Sequence, residues 1–354
     1  MGFDFARAIA IFGMVIVNFK IAMSAEKGNQ VLLWFSGLFE GRASALFVVL
    51  AGIGLTFLTS KARLSGDRVL IRKSQFSVVK RGLLLVVIGL AYTPIWEADI
   101  LHFYGFYFLI GAVVLTLSNR KLLSVGMSFI LLFPIMMLIF DYEKGWNWDK
   151  LTYQNLWSVD GMIRHIFFNG FHPVIPWCAF LILGMWLGRL DLQNLKLRNK
   201  LIGIFFTIWV TIEGLSFLLR YLFETLIDSG MTTEEIGFLF STSIIPPLPQ
   251  YLLAAGSLAV LVILLSLYLT ERFSQSVFVN WLFKTGQLSL SLYVAHVIVG
   301  IGTLEGVGRL ENQTIDFSLL SALLFCLIAV VFSAIWLRFF KSGPLEWLFR
   351  KIAS

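Results

Sequence analysis

Long apolar stretches, separated by short polar segments, recur along the whole chain. Most of them extend over about 17 to 25 residues, the length that an α-helix needs to cross the hydrocarbon core of a bilayer. The pattern therefore predicts ten membrane-spanning helices. They cover residues 5–25, 35–58, 80–96, 100–118, 122–140, 172–190, 201–222, 249–269, 284–303 and 317–339.

The composition agrees with this pattern and excludes a soluble globular protein. Hydrophobic residues make up 58% of the 354 residues and charged residues only 14%, and the mean hydropathy is +0.83. In soluble domains, hydrophobic residues make up about 45–50% of the chain and charged residues about 25%. Because no polar linker divides the chain, we predict one all-α domain, residues 1–354, that forms a polytopic membrane protein in contact with lipid.

The distribution of lysine and arginine sets the expected orientation. Basic residues are retained in short cytoplasmic loops, and most of the 28 lysines and arginines fall on one side if the N-terminus is cytoplasmic. With ten spans, both termini are then cytoplasmic. The net charge of +7 follows from this bias, so it does not indicate nucleic-acid binding.

The most basic segment, residues 59–81, lies between the second and third spans. Apolar residues alternate with its charges, which is typical of an amphipathic helix on the membrane surface. Its simplest role is to fix the orientation of the chain in the membrane by keeping these charges on the cytoplasmic side. The alternative is that its Lys and Arg side chains line the entry of a phosphorylated cytosolic donor, because these are the groups that hold phosphates.

Six polar side chains occur at a similar depth, in the outer halves of the predicted spans. A charged group near the bilayer centre costs about 2.5–3.5 kcal/mol on insertion scales, so such groups pair with one another, with water or with a ligand. We therefore expect the six to converge on one cavity. They are Asn18, Glu40, Arg42, Asp99, His102 and His172.

His102 is a candidate general base, because histidine titrates near neutral pH. It follows Asp99 by three residues. On a helix this spacing puts the carboxylate on the same face, where it can orient the imidazole ring. The alternative is a structural histidine whose hydrogen bonds are satisfied within the fold.

Three further histidines have weaker signals. His172 precedes a proline at the entry of the sixth span, and His296 lies in mid-membrane three residues after Tyr293; each fits substrate binding or a structural contact. His165, in an outer loop, is predicted to be solvated. No two histidines have the spacing of a metal site within one span, so metal binding is disfavoured.

Two charged residues mark the cytoplasmic end of the first span. Asp4 and Arg7 are three residues apart on the predicted helix. They either pair with each other or help a cytosolic donor to enter, and on the second interpretation they are the candidate donor-binding residues.

Six short motifs, taken in order along the chain, resemble those of one family. The first is similar to the opening pattern D-x-x-R-G-x-A-I-x-G-x-x-x-V-N of the YeiB-like bacterial membrane proteins and of the heparan-alpha-glucosaminide N-acetyltransferase group. The motifs lie at residues 3–18 (FDFARAIAIFGMVIVN), 40–52 (EGRASALFVVLAG), 97–105 (EADILHFYG), 172–190 (HPVIPWCAFLILGMWLGRL), 286–293 (GQLSLSLY) and 343–347 (GPLEW).

The resemblance implies a transmembrane acyltransferase in a bacterial inner membrane. In such an enzyme, cytosolic acetyl-CoA or another acyl-CoA donates its acyl group to an extracytoplasmic acceptor, such as a glycan, an amino sugar or a small molecule. The glucosaminide group has a catalytic histidine shortly after the motif asparagine. Residues 19–30 of this chain contain no histidine, and this departure moves the expected base to the fourth span.

In the resulting scheme His102 deprotonates the acceptor, Asp99 orients His102, and Asn18 or Arg42 stabilises the oxyanion. His172 or His296 can take the place of His102, and the sequence alone does not rank them. The other candidate substrate-binding residues are Glu40, Tyr104, Tyr293 and His296.

A transporter or flippase-like binding protein is the alternative from another class. Intramembrane ionisable groups also serve substrate and proton paths, and the prolines at 246–249 can break a span to form a gate. We see no inverted repeat between residues 1–170 and 171–354, which such folds often contain, so a transferase is favoured. Small residues such as Gly52 and Gly54 permit close helix packing, including that of a homo-oligomer.

Overall fold

The computed structural model describes residues 1–148 and 151–353, and most of these residues are helical. Two π-helical turns, His165–Asn169 and His296–Ile301, interrupt the α-helices. The elements are α1 (Gly2–Ala22), α2 (Gln30–Gly37), α3 (Arg42–Ser65), α4 (Arg68–Tyr92), α5 (Leu101–Val114), α6 (Asn119–Ile139), β1 (Trp146–Asn147), β2 (Thr152–Tyr153), α7 (Val159–Arg164), α8 (Val174–Leu187), α9 (Leu195–Thr225), α10 (Thr233–Phe240), α11 (Pro249–Arg272), α12 (Val277–Gln287), α13 (Ser289–Ala295), α14 (Gly302–Gly306), α15 (Ile315–Phe339) and α16 (Pro344–Ala353).

The predicted fold class is confirmed: the chain is an all-α, polytopic membrane protein. Among the residues that the structure describes, eight helices are long and apolar enough to cross a membrane. A ninth candidate is a pair, Val159–Asn169 and Val174–Leu187, bent by 47° at the break between them. The two short strands pair antiparallel in the loop after α6.

The predicted count of ten spans is therefore one or two too high. The fourth predicted span, residues 100–118, falls on α5, which is only 14 residues long. At 1.5 Å per residue such a helix extends over about 21 Å, less than the hydrocarbon core of about 30 Å. It ends early because Ser118 caps the N-terminus of the next helix, accepting a hydrogen bond from the backbone of Lys121. Cytoplasmic placement of both termini stays a prediction.

The prediction of a separate surface helix at residues 59–81 is wrong. These residues form the last turns of α3 and the first turns of α4, and only Gly66 and Asp67 lie between the two helices. Gly66 has a φ of +67°, and the Asp67 carboxylate accepts from the N–H of Val69 at 2.7 Å. The charged residues are thus extensions of two spans, since a glycine turn with an aspartate cap suffices to reverse the chain.

The chain divides into two compact units, and each is considered by itself. The first consists of Met1–Phe47 and Leu258–Lys351. In it α1 packs on α12 and α15, and a Cβ on Gly286 would overlap the carbonyl oxygen of Asp4. The Glu346 carboxylate accepts hydrogen bonds from the backbone of Leu290 and Ser291. The prediction of a single domain stays a prediction.

The second unit consists of Val48–Ser257 and the last residues from Ile352. Its α4 and α5 form an antiparallel hairpin, and α8 packs on both α5 and α6. The first half of α3 runs parallel to α8 in direct backbone contact, because a Cβ on Gly184 would overlap the carbonyl oxygen of Val49. Small residues at helix crossings allow this approach in membranes.

Candidate functional site

A buried carboxylate and a buried histidine lie side by side at the start of α5. The residues Asp99 and His102 are 0% and 1% exposed, and His102 Nδ1 lies 3.2 Å from Asp99 Oδ2. The same oxygen accepts hydrogen bonds from the backbone N–H groups of Leu101 and His102, at 2.9 and 3.3 Å. Asp99 therefore holds both the first turn of the helix and the ring of His102.

This arrangement leaves Nε2 of His102 as the nitrogen that can take a proton. Within the described residues no hydrogen bond engages Nε2. A carboxylate that orients one imidazole nitrogen and favours the imidazolium, while the other nitrogen faces the reaction, is the geometry of a general base. The pairing that the sequence spacing predicted is present.

The neighbouring helix fixes the position of this pair. A Cβ on Gly89 of α4 would overlap the backbone nitrogen of His102, so a larger residue would push α4 and α5 apart. One turn later, the Thr93 hydroxyl donates to the Gly89 carbonyl at 2.9 Å and satisfies a carbonyl at the end of α4. The glycine is needed for close approach rather than for backbone freedom.

The prediction that His165 is solvated is wrong. His165 is 1% exposed and opens the first π-turn, a feature frequent at functional sites. Its ring stacks on that of His102 with centroids 5.6 Å apart and meets the ring of Tyr153 at 4.6 Å. The available sequence signal was the apolar run at 166–168, Ile-Phe-Phe, which carries the segment into the interior.

His172 lies near the same rings, between the π-turn and α8. Its ring centroid is 6.0 Å from that of Phe103 and 4.6 Å from that of Trp177, and its carbonyl accepts from the Tyr107 hydroxyl at 2.6 Å. The Nδ1 atoms of His165 and His172 and the Nε1 atom of Trp177 are buried and lack a hydrogen-bond partner among the described residues. Such atoms cost about 1–3 kcal/mol each, so a polar ligand or water would stabilise this cluster.

Asn169 ties the loop after α6 to the histidine cluster. Its side-chain nitrogen donates to the carbonyls of Tyr142 and Lys144, at 2.7 and 2.9 Å. Its side-chain oxygen accepts from the Tyr153 hydroxyl at 2.9 Å, and that hydroxyl accepts from Arg164 Nε at 3.0 Å. The sequence gives no signal for this group, because a single asparagine at the end of an apolar run resembles an ordinary helix boundary.

A cavity of about 370 Å³ opens beside Tyr153. Its main charged group is Glu97, whose Oε2 accepts from the backbone N–H of Tyr153 at 3.2 Å. Since the Tyr153 ring also contacts His165, one tyrosine borders both the cavity and the histidine cluster. The cavity is lined by Thr93, Pro94, Glu97, Tyr153, Asn155, Leu156, Trp157 and Ser158.

Glu97 is expected to make the stability of the protein depend on pH. Glu97 is exposed over much of its surface, but its partial burial in the cavity wall raises the pKa of the carboxyl above its ordinary value of 4.5, and the hydrogen bond from Tyr153 opposes the effect. The folded state thus binds the proton more tightly, so the contribution of Glu97 to stability is complete below pH 4.5 and is lost as the pH rises through the raised pKa. As the pH rises from 4.5 through the raised pKa, the melting temperature of the wild type should therefore fall relative to that of Glu97→Gln.

The control for this pH effect is Glu311→Gln, which changes an exposed carboxyl in another loop. Its melting curve should follow the wild type at every pH. Parallel curves for wild type and Glu97→Gln would contradict the assignment.

In the first unit, Asn18 and His296 form a second polar pair. Asn18 Nδ2 lies 2.8 Å from His296 Nε2, and His296 Nδ1 contacts the Tyr293 carbonyl oxygen. Because a carbonyl only accepts, Nδ1 carries the hydrogen and Nε2 accepts from the Asn18 amide. His296 is buried and opens the second π-turn. Both of its nitrogens are engaged, so none is left to take a proton.

Glu40 pairs with a residue that the sequence analysis did not single out. Lys20 Nζ lies 2.9 Å from Glu40 Oε1 and 3.3 Å from Glu26 Oε1. Glu40 belongs to the break between α2 and α3, and Arg42 is half-buried at the first residue of α3. A substrate-binding role for Glu40 and Arg42 stays a prediction.

Two tyrosines predicted to bind substrate lie among aromatic rings. The Tyr104 ring is 5.3 Å from that of Phe108, and the Tyr293 ring is 6.3 Å from that of Phe47. Both tyrosines are buried. Their substrate-binding role also stays a prediction.

Asp4 and Arg7 form an ion pair on the first turns of α1. This is the simpler of the two interpretations that their spacing allowed. Because the carboxylate neutralises the guanidinium, Arg7 has less charge to offer an anionic donor. The donor-binding role of the two residues stays a prediction.

The structure thus gathers Asp99, His102, His165 and His172 in the second unit, and Asn18 with His296 in the first. A single cavity shared by the six predicted polar residues stays a prediction. Within residues 1–148 and 151–353, no group of three or more His, Cys, Asp or Glu side chains is placed to hold a metal ion.

Comparison with known proteins identifies two family models and two similar proteins. The model of the heparan-alpha-glucosaminide N-acetyltransferase catalytic domain matches residues 1–226, and a model described as a protein of unknown function (DUF418) matches residues 187–354. The uncharacterized protein YxaH of Bacillus subtilis is 24% identical over 98% of this chain and 92% of its own length. The uncharacterized protein YeiB of Escherichia coli is 24% identical over 99% of this chain and 94% of its own length.

These matches confirm the resemblance carried by the sequence motifs. The N-acetyltransferase model covers more than half of the 354 residues. The matched part includes the pair of Asp99 and His102 and all of the histidine cluster. The protein therefore belongs to the heparan-alpha-glucosaminide N-acetyltransferase catalytic family, a family of membrane acyltransferases.

Proposed function

We propose that this protein transfers an acyl group from cytosolic acetyl-CoA, or another acyl-CoA, to a hydroxyl or amine of an acceptor on the extracytoplasmic side. The observation that carries the proposal is the buried pair of Asp99 and His102, in which the carboxylate orients Nδ1 and Nε2 has no hydrogen bond to any residue that the structure describes. Membership of an acyltransferase family supports the same reaction class.

The proposed reaction needs one base and one leaving group. Nε2 of His102 takes the proton of the acceptor hydroxyl or amine while the acceptor oxygen or nitrogen bonds to the thioester carbon. The carbon–sulfur bond then breaks, and the thiolate of coenzyme A receives the proton. Asp99 stabilises the imidazolium that forms between these steps.

The hydrogen bonds favour His102 over His296 as the general base. The two ring nitrogens of His296 are held by the Tyr293 carbonyl and the Asn18 amide. Proton uptake at Nε2 would require His296 to break the contact with Asn18. His172 contacts the cluster through its ring but has no described carboxylate partner, so in this scheme it helps to form the pocket.

The cavity beside Tyr153 is the proposed acceptor site. Its carboxylate, Glu97, suits an amine, and the amide of Asn155 and the hydroxyl of Ser158 suit the hydroxyl groups of a sugar. Trp157 offers an aromatic face, 61% exposed. An amino sugar is the acceptor class that these groups fit, and it agrees with the name of the family.

The test uses the full-length protein, purified and placed in lipid nanodiscs, with acetyl-CoA labelled in the acetyl group and D-glucosamine as the probe acceptor. We expect labelled product and an equal amount of free coenzyme A, measured by chromatography and by a thiol reagent. Heat-denatured protein is the control. If neither thioester cleavage nor acetyl-CoA binding occurs, the proposal fails, and a transporter that uses the same cavity becomes the favoured function.

A further inference from the structure

The parallel contact between α3 and α8 continues to the end of α8. The Thr56 hydroxyl donates to the Met185 carbonyl at 2.9 Å. A Cβ on Gly188 would lie 3.1 to 3.3 Å from atoms of Ile53 and Thr56. α8 therefore ends beside Thr56, and α3 continues past this point to Ser65. Both helices run toward the side that the positive-inside bias assigns to the cytoplasm.

An arginine stands at the end of each helix. Arg63 follows Thr56 by seven residues, two helical turns on the same face, and Arg189 follows Met185 by four. The interhelical contact between Thr56 and Met185 therefore brings the two guanidinium groups to the same end of the second unit. Both side chains are half-buried.

Arg189 is held in place by the backbone. Its Nη1 atom donates to the Leu117 carbonyl at 2.6 Å and to Asn119 Oδ1 at 3.2 Å, and its Nη2 atom donates to the Leu115 carbonyl at 2.9 Å. These partners are neutral. They fix the direction of the guanidinium but leave its charge uncompensated.

Arg63 has no hydrogen bond or ion pair among the described residues, and its Nε atom is buried. The acidic residues nearest in sequence serve their own turns: Asp67 accepts from Val69 N and Asp191 accepts from Gln193 N. No described ion pair neutralises either Arg63 or Arg189.

Two guanidinium groups close together repel each other unless an anion lies between them. Burial, together with the positive charge of Arg63, lowers the pKa of Arg189 below its ordinary value. Burial is the larger cause, and the contribution of Arg63 agrees with the placement of both groups at one end of the helix pair, which the contact of Thr56 with Met185 sets. Arginine forms bidentate hydrogen bonds with phosphate oxygens and is commonly found where phosphates are bound. A phosphate would satisfy the buried Nε atoms and cancel the repulsion.

We propose that Arg63 and Arg189 form a phosphate-binding site that holds the phosphate groups of the nucleotide portion of the acyl donor. The identity of the donor rests on the proposed function, whereas the anion site rests on the two arginines. The site lies at the end of the second unit to which α3, α5 and α8 all run, opposite to the start of α5 where Asp99 and His102 are found.

The experiment measures binding of adenosine 3′,5′-bisphosphate, which has no acyl group, to the full-length protein freed of bound lipid in a neutral detergent. Arg63→Gln is expected to raise the dissociation constant by about tenfold or more, since hydrogen bonds to charged groups are the strong ones. Arg63→Lys should recover part of the loss. Arg68 is an exposed arginine five residues further on. Arg68→Gln should change the dissociation constant by less than about twofold.

Equal binding by Arg63→Gln and Arg68→Gln would overturn the proposal. A second arm adds vesicles of phosphatidylglycerol, because a lipid headgroup offers the same phosphate chemistry. If Arg63 is needed for vesicle binding and the nucleotide does not bind, the donor assignment is overturned. If the nucleotide competes with the lipid, the assignment is supported.

These outcomes are separate from those of the transfer assay. Nucleotide binding that depends on Arg63 without acyl transfer would support the site and refute the proposed function. Acyl transfer with unchanged binding in Arg63→Gln would refute the site alone.

Discussion

Replacing His102 with glutamine is expected to lower the rate of acyl transfer by about 10²–10⁴-fold, the usual contribution of a positioned general base. Glutamine is close to histidine in size and retains a hydrogen-bonding group that can meet Asp99, so the fold should survive. The measurement is release of coenzyme A from labelled acetyl-CoA at saturating D-glucosamine. The binding of adenosine 3′,5′-bisphosphate should be unchanged.

Two further variants sharpen this result. Asp99→Asn should also lower the rate, because an amide cannot stabilise the imidazolium of His102. His296→Gln is the comparison variant, because both nitrogens of this buried histidine are engaged and cannot serve as the base, so it should lose much less activity than His102→Gln. If His296→Gln loses activity and His102→Gln does not, the base is in the first unit and our assignment is wrong.

Replacing Gly184 with alanine is expected to destabilise the protein by about 1–3 kcal/mol or more, the cost of overpacking a tight contact. Its Cβ would overlap the carbonyl oxygen of Val49, and neither backbone can yield without separating α3 from α8. We expect a lower melting temperature in detergent, and weaker nucleotide binding because the ends of both helices move.

Gly214→Ala is the matched control for this prediction. Gly214 is also in a helix, α9, but a Cβ there meets no atom within 4 Å. Alanine is favoured over glycine in a helix interior by about 1 kcal/mol, so the melting temperature should stay the same or rise. If the two variants behave alike, the contact between α3 and α8 is not as close as described.

Much of the fold follows from the apolar pattern, because a chain in lipid must satisfy its backbone within helices. The same pattern cannot give the length of α5. Its apolar residues continue past Val114 into the turn, and only the cap at Ser118 decides where the next helix begins. The charges at residues 59–81 suggest a surface helix for a related reason: the pattern does not show that spans can continue as charged helices beyond the membrane surface.

The candidate site was only partly predictable. The pairing of Asp99 with His102 is local, so its spacing of three residues was sufficient to predict it. The contact of Asn18 with His296 joins residues 278 positions apart, and no local pattern encodes it. The burial of His165 depends on the bend between α7 and α8, which composition does not reveal.

The two π-turns have a consequence for helical-wheel reasoning. A π-turn holds one residue more than the α-helical ladder needs, and one residue corresponds to a rotation of about 100° around the helix axis. Side chains after Ile301 are therefore out of phase with those before His296. Deleting a single residue there, Val299 for example, would restore one continuous phase and swing the helix that follows onto a different face. A one-residue gap in this segment would be read from an alignment as trivial, yet it would turn every side chain of α14 by about 100° around the helix axis.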